Sequence, residues 1–366
     1  MQTALNSLAD RIRGAADAGT PLRIRGGGTK DFYGQSLTGD ILDTRALHGI
    51  TSYEPSELVV TASAGTPLVE LEQLLAQQSQ YLPFEPPHFG SQATVGGMVA
   101  AGVSGPARVS SGAVRDYVLG VQMVGGQGQI LRFGGQVMKN VAGYDVSRLM
   151  TGSLGTLGLI AEVSLKVLPR PVAEATVRLE TDQADALRRL NQWGARPLPI
   201  NASGWLRQDG RACLWVRLRG ADAAVRSACL TLGGEAVDRT LATAFWQSLR
   251  EQSAAFFQGP PDACLWRLSV PDTTAVFALP GNDTLLEWGG ALRWVWAPAD
   301  QGPVLREMVS RAGGSATLFR RAAQGVPPDM PVFHPLAPAL EQIHQALKQQ
   351  FDPAGIFNRN RMFASF

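Results

Sequence analysis

Histidine and cysteine are scarce in this chain, with four of one and three of the other among 366 residues. Cys213, Cys229 and Cys264 are too dispersed for a disulfide framework or a CxxC metal site, and no iron–sulfur ligand spacing occurs. Charge is sparse and balanced: 33 Lys and Arg against 31 Asp and Glu give +2, and only 17% of residues are charged. Nucleic acid as the main partner requires a concentrated basic face, so this balance argues against it. Long apolar runs are also missing. No stretch of about 18 apolar residues is present to span a bilayer. The N-terminal MQTALNSLADRIRGAADAG carries charges throughout, where a signal peptide needs an apolar centre. These absences predict a cytoplasmic protein with no transmembrane segment, whose membrane association would be peripheral and through partners.

What is plentiful is glycine. Forty glycines in 366 residues is about 11%, against an average near 7%. A hydrophobic fraction of 45% excludes a disordered chain, and the length predicts two domains. Composition shifts near residue 170. All eight tryptophans (193, 205, 215, 246, 266, 288, 294 and 296) follow it, most glycine clusters precede it, and Pro169-Arg170-Pro171 reads as the hinge. Before the hinge, Leu22–Arg25, Leu58–Thr61, Val118–Val124, Gln129–Phe133 and Leu159–Leu168 read as strands. Thr66 and Pro67 suit a helix N-cap and first position, followed by Leu68, Leu71 and Leu75 on one face. After it, Ala175/Val177/Leu179 alternate with polar residues, and helical patterns occupy 182–193, 222–232 and 303–312. Such an order predicts an α+β domain with an antiparallel sheet and no evident internal repeat.

Three glycine clusters carry the chemistry. The first, Arg25-Gly26-Gly27-Gly28-Thr29-Lys30, follows a strand directly. Successive glycines there allow a nest of backbone N–H groups suited to phosphate oxygens, or simply a surface turn. The Rossmann spacing fails because Asp31 stands where the third glycine is needed, and the P-loop spacing fails too. The second runs from Pro86 through Thr94, Gly96, Gly97 and Gly102 to Gly105, Gly112, Arg115 and Asp116. Small residues over this length suit a large flat ligand or close backbone packing. The third is Lys139-Asn140-Val141-Ala142-Gly143-Tyr144-Asp145, then Gly152-Ser153-Leu154-Gly155-Thr156-Leu157-Gly158.

The ordered clusters resemble the FAD-binding domain of the vanillyl-alcohol-oxidase/p-cresol-methylhydroxylase superfamily. Lys139 to Asp145, Gly152 to Gly158 and the ending Phe351-Asp352-Pro353-Ala354-Gly355-Ile356-Phe357-Asn358 are similar to the FAD-binding subunit of bacterial glycolate oxidase. The resemblance implies a two-part FAD-binding domain over 1–170, an α+β antiparallel-sheet cap domain over 171–335, and a segment over 336–366 that returns to the first domain. It implies that Arg25, Gly26, Gly27, Gly28, Thr29 and Lys30 cradle the pyrophosphate. Thr94, Gly96 and Gly97 would run along the FAD. Gly105, Gly112, Arg115 and Asp116 would lie near its adenosine side. Gly155, Thr156 and Ile160 would close over it, and Lys139 and Tyr144 would lie near the flavin. The first loop lacks the histidine through which some superfamily members attach flavin, so FAD is expected to be non-covalent.

Oxidation of a hydroxy acid needs a base for the hydroxyl proton and a cation for the carboxylate. The related catalytic flavin subunits carry a histidine-rich metal motif. His48, His88, His334 and His344 form no such constellation, so no metal site is expected. Catalytic residues stay unassigned. Arg217, Arg219, Arg267 and Arg293 are candidates for a carboxylate, yet their alternation with apolar residues reads as a solvated strand face. Trp294 and Trp296 share a strand face, read as core or subunit interface, with interface preferred for part of the set. The resemblance therefore implies a cofactor-holding subunit of a glycolate dehydrogenase, partnered by a catalytic flavin subunit and an iron–sulfur subunit. A stand-alone FAD-dependent dehydrogenase of another hydroxy acid such as lactate, and a structural subunit without functional FAD, are the rival expectations.

Overall fold

The computed structural model describes residues 1–135, 145–208, 210–279, 283–327 and 329–364. The chain divides into two compact units. The first comprises 1–104, 113–170 and 335–366; the second comprises 105–112 and 171–334.

The first unit is built on a five-stranded antiparallel sheet in the order Ile50–Glu54, Val59–Ser63, Leu159–Lys166, Val118–Val124, Ile130–Gly134. Its central strands read as apolar runs because both faces are covered. On one face lie helix Leu68–Gln77, whose Leu68, Leu71 and Leu75 are fully buried, and the short helix Val95–Ala101. The other cluster joins Val124, Leu159 and Ala161 to helix Gln2–Ala18, to Leu22 and Leu42, and to Ile356 and Phe357 of the C-terminal segment. That first helix is amphipathic, with Leu5, Leu8, Ala9, Ile12 and Ala15 inward, and it stops at Gly19 in the left-handed conformation, φ 66°. Strand Leu22–Arg25 pairs in parallel with Asp40–Asp43 and delivers the chain straight into the first glycine cluster. The helix at 68 begins at Pro67 as N-cap rather than at Thr66. The buried Thr66 hydroxyl instead accepts the N–H of Gly49 at 3.0 Å and donates to its C=O at 3.1 Å.

The second unit is an eight-stranded, wholly antiparallel sheet. Its order is Glu235–Ala236, Ala173–Glu180, Arg211–Gly220, Ile200–Gln208, Thr284–Glu287, Leu292–Ala297, Cys264–Ser269, Ser315–Arg320. Read outward from the central pair, the two halves have matching connectivity. Each half places its second and third strands as a hairpin, then its first strand, then its fourth at the edge. The sequence shows no repeat here because the halves share topology without sharing motifs. Helices Gln183–Gly194 and Asp222–Leu232 cover one face of the first half, and Gly302–Arg311 serves the second. Helix Arg239–Arg250 lies on the opposite face, where Phe245 stacks on Trp215 at 4.0 Å.

Two sequence expectations are corrected in this unit. Trp294, like most of the tryptophans, is core rather than interface. Seven of the eight are buried, all but Trp296. Trp294 donates its indole N–H to Glu287 at 2.7 Å and Trp296 donates to Phe256 O at 2.7 Å. The arginines do not form a solvated face either. Arg217 is 3% exposed, donates to Asn201 Oδ1 at 2.8 Å and lies over the Trp246 ring. Arg293, 1% exposed, donates to the carbonyls of Gly290, Ala275 and Thr274, and burial pulls its pKa down to about 10. Alternation mimicked exposure because satisfied guanidinium groups can be buried among aromatic rings. Arg219 pairs with Glu174 at 2.6 Å, and Arg267 lies over the Trp288 ring at 5.1 Å.

Candidate functional site

An open cavity lies within the first unit. Its walls come from four stretches far apart in sequence: 24–31, 94–101, 154–160 and the C-terminal Asn358 and Arg361. Most of the lining is backbone or small side chain, which is what a large planar ligand needs for close approach.

The first wall is the loop after strand Leu22–Arg25. Gly27 is required there by its neighbour: a Cβ would sit 1.5 Å from the carbonyl oxygen of Gln92. Gly28 has φ +74°, which L side chains rarely adopt. Among the described residues, the amide N–H groups of Gly27, Gly28 and Thr29 reach no protein acceptor. Such a run of unpaired donors is a cradle for anionic oxygens. Asp31, the residue that breaks the Rossmann spacing, takes Arg23 at 2.7 Å and Arg25 at 2.8 Å. Those pairs hold two arginines on one carboxylate beside the loop. Lys30 donates to His88 O at 3.2 Å and lies over the Phe89 ring.

The second wall is the start of helix Val95–Ala101. Thr94 is its N-cap and accepts the Gly97 N–H at 3.2 Å. Gly96 is pressed against Ala64, where a Cβ would lie 2.5 Å from the alanine Cβ. The third wall, Leu154 to Ile160, presents Gly155, Gly158 and Ile160.

The cavity thus gathers Arg25, Gly26, Gly27, Gly28, Thr29, Lys30, Thr94, Gly96, Gly97, Gly155 and Ile160. Other candidates lie elsewhere. Thr156 is buried and donates its hydroxyl to Ser153 O within its own loop. Asp116 accepts the Ala113 N–H at 2.8 Å, and with Arg115 it belongs to a short turn, Val114–Asp116, off the lining. Gly105 and Gly112 belong to the second unit, and Gly105 O accepts the Trp288 indole N–H. Lys139 and Tyr144 lie outside the described residues. The histidines are occupied structurally: His48 with Glu70 at 2.9 Å, His88 with Glu72 at 3.0 Å, and His334 accepting the Ala316 N–H. Burial and nearby Arg306 push the His334 pKa down, which suits that acceptor role. His344 lies near the Phe363 ring.

Sequence reasoning missed Asp31, Thr44, Ala64, Asn358 and Arg361 as lining residues. The polar run Asn358-Arg359-Asn360-Arg361 behind the apolar Ile356-Phe357 was the available signal.

The donor set fits a dinucleotide with a pyrophosphate and a flat ring: unpaired N–H groups, adjacent cations and walls of glycine. Comparison with known proteins gives the same cofactor. Residues 3–134 match the model of the FAD binding domain family. The chain is 47% identical to the glycolate oxidase subunit GlcE of Escherichia coli (strain K12), over 98% of this chain and 97% of that one. It is 34% identical to the glycolate oxidase subunit GlcD of Bacillus subtilis (strain 168), over only 45% of this chain and 36% of that one. Among solved structures, an alkyldihydroxyacetonephosphate synthase superposes with a TM-score of 0.65 over 96% of this chain and 74% of that one, at 14% identity. That likeness establishes the fold. No helix among the described residues is long and apolar enough to cross a membrane. With a near-full-length match to GlcE, an FAD binding domain and the fold to carry it, the chain belongs to the GlcE family of glycolate oxidase subunits and uses FAD.

Proposed function

We propose that this chain is the cofactor-holding subunit of a multi-subunit glycolate dehydrogenase, in which glycolate becomes glyoxylate. Most substrate chemistry falls to a separate catalytic flavin subunit, and electrons leave through an iron–sulfur subunit. The observation that supports this division is the lining itself. It offers N–H donors, Arg25 and Lys30 for a bound cofactor, while the one carboxylate lining it among the described residues, Asp31, is held by two arginines. No histidine lines it among the described residues, so a base for a hydroxyl proton is not in evidence there.

Bound FAD would supply electron-accepting chemistry. The residues of this chain do the holding: Gly27 to Thr29 donate to the phosphates, Lys30 and Arg25 offset their charge, and Thr94, Gly96 and Gly97 let the cofactor lie close to the helix start. With Thr29 and Lys30 in the first loop and no histidine there, attachment is non-covalent. The complex is cytoplasmic, with any association at the inner face of the membrane made through partners.

The test is to purify the chain alone and together with its partners. Alone, it carries flavin that denaturation releases entirely into the supernatant, and it turns glycolate over slowly. With a second flavoprotein and an iron–sulfur protein co-purified, turnover rises sharply. Brisk oxidation of glycolate or lactate by the isolated chain overturns the division of labour, and absent flavin absorption overturns the cofactor role.

A further inference from the structure

The cavity has a feature that its glycines do not explain. Two of its walls, the loop after strand Leu22–Arg25 and the loop Leu154–Gly158, are far apart in sequence, yet both must keep their spacing for one ligand. Neither is braced by the other's backbone. The C-terminal segment lies between them.

Strand Leu22–Arg25 pairs with Asp40–Asp43 on one edge. On its other edge the Leu22 N–H donates to Ile356 O at 2.8 Å, and the Asn358 N–H donates to Leu22 O at 2.9 Å. The main chain then turns away, with Asn358 at φ +40°. The Asn358 side chain takes over the ladder: its Oδ1 accepts the N–H of Ile24 at 2.8 Å, two residues before the glycine loop. Its Nδ2 donates to Leu154 O at 2.6 Å, in the opposite wall. Donor and acceptor partners on the two sides fix which end of the amide is oxygen. Asn358 is 3% exposed and lines the cavity.

The rest of the segment is anchored independently. Lys348 Nζ donates to Thr156 O, Phe357 O and Asp352, each within 2.8 Å. Asp352 in turn accepts the N–H groups of Ile356 and Phe357. Arg361 donates to the carbonyls of Lys30, Asp31 and Gln35, holding the back of the glycine loop.

We propose that Asn358 is a positioning residue that sets the width of the FAD cradle, tying its two walls through one buried amide. This rests on the placement of FAD in that cavity. The role demands one acceptor and one donor at fixed positions. Asp keeps the acceptor but turns a carboxylate oxygen toward Leu154 O, a contact that costs unless the group is protonated. A protonated carboxyl regains a donor and so restores the brace.

The experiment titrates FAD into apo-protein, reading flavin fluorescence, for wild type, N358D, N358A and G27V from pH 5 to pH 8. Far-ultraviolet circular dichroism and a urea melt of the first unit confirm that each is folded, since all eight tryptophans lie in the second. N358D at pH 8 and N358A at both pH values should bind FAD at least about tenfold more weakly than wild type, as expected for an unpaired buried group. N358D, but not N358A, should recover toward the wild-type Kd at pH 5. If G27V loses FAD while N358D and N358A both match wild type at pH 8, the brace is refuted and the cavity stands. Equal weakening of N358D at both pH values also refutes it. If G27V keeps full affinity, the placement of FAD is what fails.

Discussion

The two units spend their residues in opposite ways. The first builds its cavity from main chain, with glycine, alanine and threonine brought to the wall and the cations set beside it. The second fills its sheet with tryptophan and arginine, and spends its polar side chains on its own carbonyls and rings. The contrast teaches where ligand chemistry can reside. Unpaired N–H groups at Gly27, Gly28 and Thr29 are donors held in reserve, whereas the Arg293 guanidinium is already committed at three carbonyls. A residue that satisfies its own neighbours stabilises the fold, and one left open serves a ligand.

The sharpest way to break that contrast is Gly27→Val. Its Cβ would overlap Gln92 O at 1.5 Å, so the loop must move and the row of donors is lost. Flavin content should fall from stoichiometric to near zero, while near-ultraviolet circular dichroism from the tryptophans of the second unit stays unchanged. Stoichiometric flavin in Gly27→Val would show that the first loop is not the phosphate cradle.

Trp266→Ala tests the other side. Trp266 is fully buried and donates to Ala297 O, and removing such a side chain costs about 3–5 kcal/mol. The denaturant midpoint of the second unit should drop accordingly, with flavin content at low denaturant unchanged. Flavin loss in step with that unfolding would erase the distinction between the units.

Thr66→Val is a smaller and more local probe. It leaves the Gly49 N–H without its acceptor and the Gly49 C=O with only the Ser63 N–H, at a cost of about 1–3 kcal/mol. If Thr66 were instead the helix N-cap, Thr66→Asp would be tolerated; bonded to both groups of Gly49, it is not. A urea melt of the two variants separates the roles.

Much of the first unit was legible because its signals are local. Leu68, Leu71 and Leu75 mark a helix face, and strand Val118–Val124 is a plain apolar run. The glycine loops announced themselves by composition. The cofactor family needed the resemblance, since no single loop has a spacing that specifies FAD. Asn358 and Arg361 reach the cavity from the far end of the chain, and their one signal, the polar run 358–361 behind Ile356-Phe357, has no spacing that specifies a ligand. Helix Gln2–Ala18 is legible in Leu5, Leu8, Ile12 and Ala15, which recur at helical spacing on its buried face. In the second unit, alternation correctly gave strands but misjudged the arginines. Periodicity reports which face a residue is on, and not whether that face is covered by a helix such as Arg239–Arg250.

The smallest effect sharpens the comparison through ion pairs. Arg178 and Glu235 pair at 2.6 Å on neighbouring strands of the second unit, with side chains 34% and 66% exposed. Lys348 and Asp352 pair at 2.7 Å in the first unit, with side chains 8% and 0% exposed. The distances are alike, so burial decides. Water and salt already screen the exposed pair, and Glu235→Gln should change stability by less than about 1 kcal/mol. Removing Lys348 strands the Asp352 carboxylate in the interior, so Lys348→Met should cost about 3–5 kcal/mol. Repeating both melts in 1 M salt gives the check: the small effect of Glu235→Gln should vanish, and that of Lys348→Met should persist. A Glu235→Gln effect as large as the Lys348→Met effect would mean that the second unit, too, depends on its polar pairs.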